Sequence, residues 1–344
     1  MDDSGDRKRS VAINRLKVKA QYIVVAIVVL VSGAINVCAQ EDPCLNRTIA
    51  ASVTTETGQP VKGLVAANFR AKFRGKSVDI VSADDEAGSR RIVIVLDASG
   101  SMSERWPIEI SVAKGLLTAL PAENTFALLT FAKQVEDRVD FTQGREAVSD
   151  DLVRLKAKDW TLPKGHLRKT ALLDTLVAAL DLLRPSRVGD AIYLISDGDD
   201  NASLTSFSDV KTLFLASGVR LFSLITVDER VARGVQLEGE MGFPALEDLV
   251  KATGGDSIEF TPGLPAASVN FHPRPLPITD EDREIMSLAA HVFAREIFEF
   301  YKLQIKLPET PDKRGNWKLD VVDPLSKKNP RLRVVYPHKL ATCP

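Results

Sequence analysis

Arg91-Ile92-Val93-Ile94-Val95-Leu96-Asp97-Ala98-Ser99-Gly100-Ser101 is the stretch that decides the fold. Its first half is an unbroken aliphatic run. Such a run suits a central parallel strand buried on both faces, because a half-solvated strand alternates apolar with polar. The run stops at a carboxylate followed by small hydroxyl residues, so the chain leaves the sheet at Asp97. Downstream, Pro107 suits a first helical turn, and Ile108, Val112, Leu116 and Leu120 follow at helical spacing. Residues 125–131 read as a second buried strand, and 134–141 as a more polar strand at an edge. Residues 145–155 and 170–183 read as helices, the second closed by Pro185. Strands are expected at 191–196, 220–227 and 257–260, with helices at 207–216 and 244–252 between them. This alternation predicts an α/β fold with a doubly wound, mostly parallel sheet.

On both sides the pattern turns to β. Upstream, Ile49, Ala51 and Val53 alternate with polar residues before a turn at Thr57-Gly58-Gln59-Pro60, and 68–74 and 76–81 read as strands joined at Gly75. Downstream, five prolines within 262–278 (Pro262, Pro265, Pro273, Pro275, Pro277) mark an extended connection. Thr279 with Asp282 resembles a helix start, and Ile285, Leu288, Val292, Phe293, Ile297 and Phe300 mark one face of a last helix. Residues 301–307, 317–322 and 331–336 then alternate as strands. Neither flank would be stable as a lone sheet, so together they predict a small β-sandwich with the α/β domain inserted into it. The expected boundaries are 43–88 and 301–338 for the two parts of the sandwich and 89–300 for the α/β domain, which includes the connection at 262–278.

The N-terminus reads as a targeting segment. Arg7, Lys8, Arg9, Arg15, Lys17 and Lys19 precede an apolar run at 22–35, and Val37 with Ala39 fits a signal-peptidase site before Gln40. The run is shorter than the roughly 20 apolar residues a membrane span needs. The expectation is a cleaved signal peptide at 1–39, with an uncleaved anchor as the alternative. Either places the body outside the cytoplasm: periplasmic or secreted, or anchored and facing outward. Cleavage would remove Cys38 and leave Cys44 and Cys343, which in an exported protein read as a disulfide. Two free cysteines are the alternative.

Across 344 residues the net charge is −1, with 44% hydrophobic and 26% charged residues, so bulk charge directs the chain to neither nucleic acid nor an anionic membrane surface. No nucleic-acid motif occurs, and a membrane partner enters solely through the uncleaved anchor.

Three loops carry the chemistry: Asp97-Ala98-Ser99-Gly100-Ser101 after the first parallel strand, Thr170 at the head of Thr170-Ala171-Leu172-Leu173-Asp174, and Asp197-Gly198-Asp199-Asp200-Asn201 after the strand at 191–196. In an open α/β sheet ligands gather at the carboxyl ends of the strands, where these loops could meet. An EF-hand reading of the third loop fails, because Ala202 holds the glycine position and Ser208 the closing glutamate position. Asp199 and Asp200 read as solvated loop charges. Sequons at Asn46 and Asn201 read as chance.

D-x-S-x-S, T-A-L-x-D and D-G-x-D in this order resemble the metal-ion-dependent adhesion site of von Willebrand factor type A domains. With Val61-Lys62-Gly63-Leu64, Asn68-Phe69 and the β-tail from Tyr301, the chain resembles the acidobacterial-type proteins related to them. The resemblance covers about 90–300. It implies that Ser99, Ser101 and Thr170 ligate a cation through hydroxyls, with Asp97 and Asp197 acting directly or through waters. The implied cation is Mg²⁺, with Mn²⁺ or Ca²⁺ as alternatives. It also implies a protein partner that supplies an acidic residue to the metal. Lys169 departs from the pattern, since members often carry glycine there, and this bears on affinity. The scattered His166, His272, His291 and His338, and the lack of an HExxH, a G-x-S-x-G or a phosphate loop, argue against an enzyme. Glu238-Gly239-Glu240 reads as a solvent-facing loop pair. The alternative function is a structural or assembly protein of the cell envelope with a vestigial metal site.

Overall fold

The structure, a computed structural model, describes residues 42, 44–86, 88–102, 105–157, 169–226, 243–260, 280–312, 317–322 and 332–343. The expected signal peptide, the proline-rich connection, Glu238-Gly239-Glu240, His166 and His272 lie outside them. Residues 43–344 make one compact unit.

Its strands are β1 (Asn46–Thr55), β2 (Phe69–Phe73), β3 (Lys76–Glu86), β4 (Arg91–Asp97), β5 (Thr125–Phe131), β6 (Val135–Val139), β7 (Ala191–Ser196), β8 (Arg220–Thr226), β9 (Ser257–Phe260), β10 (Phe300–Lys306), β11 (Trp317–Val321) and β12 (Leu332–Val335). Its helices are α1 (Trp106–Ala119), α2 (Gly144–Ala157), α3 (Leu172–Leu182), α4 (Phe207–Ser217), α5 (Phe243–Thr253) and α6 (Asp280–Phe298).

Mixed α/β architecture is what these elements form. One six-stranded sheet runs β6-β5-β4-β7-β8-β9, parallel except for β6 at its edge. After β5 and β6 the chain crosses to the other side of β4 to build β7, so β4 is the topological switch point. Ile92, Ile94 and Leu96 pack on one face against α1, α2 and α6, whereas Val93 and Val95 pack on the other against α3, α4 and α5. Both faces of β4 are therefore buried, as its unbroken apolar run requires.

The last helix packs differently from its expected pattern. Leu288 is 64% exposed, while Ala289, Ala290, Phe293, Ala294 and Ile297 are buried. Small residues bring α6 close to α1: a Cβ added at Gly115 would lie 3.1 Å from that of Ala290. Phe300, expected on the helix, opens β10 instead.

The flanking strands correct the sandwich expectation. They form one antiparallel sheet in the order β11-β2-β3-β10-β1-β12, because β10 from the tail inserts between β3 and β1 from the front. The sheet curls, so Trp317 in one edge strand meets Tyr336 just beyond the other, with ring centroids 6.1 Å apart. That curl encloses Phe69, Phe73, Leu303 and Leu319 in a core of their own. Cys44 and Cys343 form a disulfide across 299 residues, with Cα atoms 5.8 Å apart. The segment before Cys343 also lies on the α/β layer, where the His338 N–H donates to the Lys251 carbonyl at 3.0 Å. Gly254 allows this approach: its φ is +80°, and a Cβ there would strike Pro337. Among the described residues no helix is long and apolar enough to cross a membrane.

Candidate metal centre

Asp97 ends β4 with no solvent exposure. One carboxylate oxygen accepts the Ser99 N–H at 2.9 Å, and the other accepts the Ser196 hydroxyl at 2.6 Å. Ser196 Oγ in turn accepts the Gly198 N–H at 3.0 Å. The loops after β4 and β7 are thus stitched together through one hydroxyl. The Ser99 and Ser101 hydroxyls lie 3.1 Å apart, Ser99 buried and Ser101 exposed.

Thr170, 3% exposed, is tied to the third loop. Its N–H donates to Asn201 Oδ1 at 2.9 Å, and its carbonyl accepts the N–H groups of Asn201 and Ala202. The loops at Asp97 and Thr170 share an anchor at the end of β5, where Ala98 N–H donates to the Phe131 carbonyl and Ala171 N–H to that of Ala132. The third loop is therefore tied by hydrogen bonds to each of the other two, and those two share the end of β5. Lys169, beside Thr170, is exposed. Asn201 is exposed, and its side-chain oxygen is occupied by the Thr170 N–H.

The expectation for Asp200 was wrong. Asp200 is 7% exposed, and its Oδ1 accepts the Leu173 N–H and the Ser203 hydroxyl. A short side chain at this position satisfies a first-turn N–H of α3 from outside the helix. Asp174 repays the contact from α3: its two carboxylate oxygens accept the N–H groups of Leu204 and Thr205, each at 2.9 Å. Burial pushes the Asp174 carboxyl up, but these hydrogen bonds outweigh it and hold the group below its ordinary value.

The electrostatics of this end are unbalanced. Burial and then the charge of Asp197 push the Asp97 carboxyl to about 7, against the hydrogen bonds from Ser196 and Ser99. Asp199 is half-buried and is pushed to about 6 by burial and Asp197. Glu109, on α1, has no solvent exposure, and among the described residues neither carboxylate oxygen has a partner at ordinary hydrogen-bond geometry, although the Asp97 backbone N–H lies close enough to favour its charged form. Burial, Asp97 and Asp197 push its carboxyl well above the ordinary range, opposed by Arg105. Acids gathered in this way repel one another, and an orphaned buried carboxyl calls for a compensating charge. Oxygen donors beside uncompensated carboxylates fit a hard divalent cation. The donors are not a carboxylate cage: among the described residues no three His, Cys, Asp or Glu side chains are grouped to hold a metal. Sequence reading missed Ser196 and Glu109, since the one looks like a strand terminus and the other like the polar face of a helix.

Residues 92–199 match the family model of the von Willebrand factor type A domain. The chain carries a von Willebrand factor type A domain. No curated protein matches the chain significantly. Among solved structures, the chain is similar to the conserved hypothetical protein BatB from Bacteroides thetaiotaomicron, at 14% identity and a TM-score of 0.39 over 60% of this chain and 100% of that one. An aerotolerance-related membrane protein from Bacteroides fragilis gives 15% identity and a TM-score of 0.38 over 61% and 98%. A von Willebrand factor type A protein from Catenulispora acidiphila gives 13% and 0.38 over 86% and 74%. Likeness at this level identifies neither partner nor activity.

Proposed function

We propose that this is an exported protein whose von Willebrand factor type A domain binds a divalent cation and uses it to capture an acidic group of a protein partner. The observation that carries the reading is the meeting of Asp97, Ser99, Thr170 and the Asp197 loop at the switch point of the sheet, with Asp97 and Glu109 both fully buried beside like charges. Ser99, Ser101 and Thr170 would hold the ion through neutral oxygens, and Asp97 and Asp197 directly or through waters. Mg²⁺ prefers about six oxygens in tight octahedral order, and Mn²⁺ and Ca²⁺ are further candidates. Neutral hydroxyls leave the ion most of its charge, which makes a partner's carboxylate a good remaining ligand. In this reading the role is binding rather than catalysis. Export agrees with the Cys44–Cys343 disulfide, a bond that persists in oxidising compartments.

Calorimetric titration of the full chain with Mg²⁺ and Mn²⁺ tests the metal, and Asp97→Ala should abolish the heat while leaving the circular dichroism spectrum intact. Capture of envelope proteins by the immobilised chain, with and without chelator, tests the partner. Cation binding without chelator-sensitive capture would sink the interaction role. No cation binding would leave a structural protein with a vestigial site.

A further inference from the structure

The opposite end of the parallel sheet carries charge of the other sign. Between β1, the loop before β7, the ends of α4 and α5, and the C-terminal segment lies a cavity of about 290 Å³. Arg47, Arg187, Arg220 and Lys339 line it, and its described lining includes no Asp or Glu. A cleft lined by one sign of charge focuses field into its interior.

Two of these cations are committed to the walls. Arg220 is 1% exposed and donates to the carbonyls of Glu296 at 2.9 Å and Ile297 at 2.8 Å. Arg47 donates to the Ala341 carbonyl at 3.2 Å and contacts Cys343 Sγ at 3.1 Å. Arg187 and Lys339 are different: neither side chain has an ion pair among the described residues, and Arg187 is exposed while Lys339 is half-buried.

A bland explanation would have these cations neutralise the carbonyl ends of α4 and α5. Those carbonyls already have donors, however. Phe214 O accepts the Gly218 N–H, Ser217 O the Ser186 hydroxyl, and Ala252 O the Lys339 N–H. A neighbouring cavity of about 300 Å³ shares Ala252 and Lys339 but carries both signs of charge, Lys251 and Lys339 against Asp248. There burial and then Lys251 and Lys339 hold the His338 imidazole below its ordinary value, against the opposing charge of Asp248.

We infer that this cleft is a binding site for a small, multiply charged oxyanion, a phosphate or polycarboxylate group, held by Arg187 and Lys339 in the field of Arg220 and Arg47. A guanidinium suits the fork of two oxygens and an ammonium supplies a compact point charge. The site is independent of the metal loops, which lie at the other ends of the same strands.

The test is calorimetric titration of the full chain with pyrophosphate and, separately, with citrate. Divalent cations are removed beforehand on a chelating resin, no soluble chelator is present, and chloride is held constant. Saturable binding of either anion is expected: pyrophosphate alone identifies a phosphate site, citrate alone a carboxylate site. Arg187→Gln with Lys339→Gln should weaken it by roughly tenfold or more, since each removes a charge-assisted contact. Both side chains lie at the rim, and the single Lys339→Gln variant provides a second reading should the pair perturb the fold. Asp97→Ala should bind the anion as the parent does. Absence of saturable binding, undiminished binding by these glutamine variants, or loss in Asp97→Ala would each overturn the assignment.

Discussion

The two ends of the parallel sheet handle buried charge in opposite ways. At the carboxyl end, Asp97 and Glu109 are fully buried among like charges, and among the described residues the Glu109 carboxylate oxygens lack a hydrogen-bond partner at ordinary geometry. At the amino end, the buried Arg220 is held by two carbonyls, and its guanidinium carbon and that of Arg90 each lie 4.4 Å from the Phe300 ring centre. Burial lowers the Arg220 guanidinium to about 9, with Arg90 adding repulsion, yet its donors are largely employed in joining β8 to the end of α6. The carboxyl end therefore gathers buried acids around Asp97, whereas at the amino end Arg220 turns most of its donors into a joint, leaving its Nε and Glu296 Oε2 without a partner among the described residues. The difference separates an acidic pocket suited to a cation from an arginine contact that holds the fold beside the cationic cleft.

Substitution should expose this contrast with opposite signs. Arg220→Met should destabilise by about 3 kcal/mol, because it strips the Glu296 and Ile297 carbonyls of their donors and removes a countercharge from Glu296. At the other end, Asp97→Asn should stabilise the metal-free protein at pH 8 by about 1 kcal/mol, because a buried charge is neutralised. The same change should abolish stabilisation by Mg²⁺. Urea unfolding of both variants, in EDTA and in Mg²⁺, measures all of this. Two losses of similar size would mean that the ends do not differ in kind.

Reduction tests whether the curled sheet and the α/β layer hold together without their covalent tie. Cys44–Cys343 closes a loop across 299 residues. Its removal by Cys44→Ser with Cys343→Ser should cost about 2–4 kcal/mol, chiefly by freeing the unfolded chain. The amino end should suffer most, since Arg47 and the 337–341 segment lie beside the bridge and line its cleft. Amide exchange would locate the loss, and protection falling first at the metal loops would contradict this arrangement.

A pH series sharpens the comparison further. In the metal-free protein Asp97 titrates at about 7, well above an ordinary carboxyl. Between the ordinary carboxylate range and about 7 the native state therefore holds more protons than the unfolded state. Stability should fall as pH rises through that window, by about 1–3 kcal/mol, and be greatest below it. Mg²⁺ compensates the carboxylates, so the gap between melting temperatures with Mg²⁺ and with EDTA should widen from about pH 5 to about pH 8. A constant gap would place the ion away from Asp97.

Much of this was readable from local pattern. The run at 92–96 dictated a central strand, and Asp97, Ser99, Ser101, Thr170 and Asp197 stood at loop positions that an α/β sheet brings to one end. Tertiary relationships were less accessible. Nothing local to the front or tail strands reveals that β10 inserts between β1 and β3, because alternation fixes which face is buried but not which strand is the neighbour. Leu288 matched a helical stripe but faces solvent, since the tight contact at Gly115 and Ala290 rotates α6 onto its alanines. Asp200 looked like a solvated charge because one of its partners, the Leu173 N–H, comes from the packing of its loop against the start of α3, although the other, Ser203, is local. The cationic cleft draws on positions 47, 187, 220 and 339, which no sequence window contains together.

Ser196 offers the smallest and most local test of how the acidic end is built. Its hydroxyl donates to Asp97 and accepts from Gly198, so Ser196→Ala leaves a buried carboxylate oxygen and a backbone N–H without these partners. The expected loss is about 1 kcal/mol in EDTA. In Mg²⁺ the loss should be larger, because the hydroxyl also orients Asp97 toward the loop after β7, and an outer partner that fixes a ligand contributes to affinity. Combining Ser196→Ala with Asp97→Asn separates the two effects. If Ser196 acts through the Asp97 carboxylate, its cost in Mg²⁺ should shrink in the Asp97→Asn background to the EDTA value, a coupling that calorimetry and urea unfolding read independently. Equal costs in both backgrounds would assign Ser196 to the Gly198 turn alone.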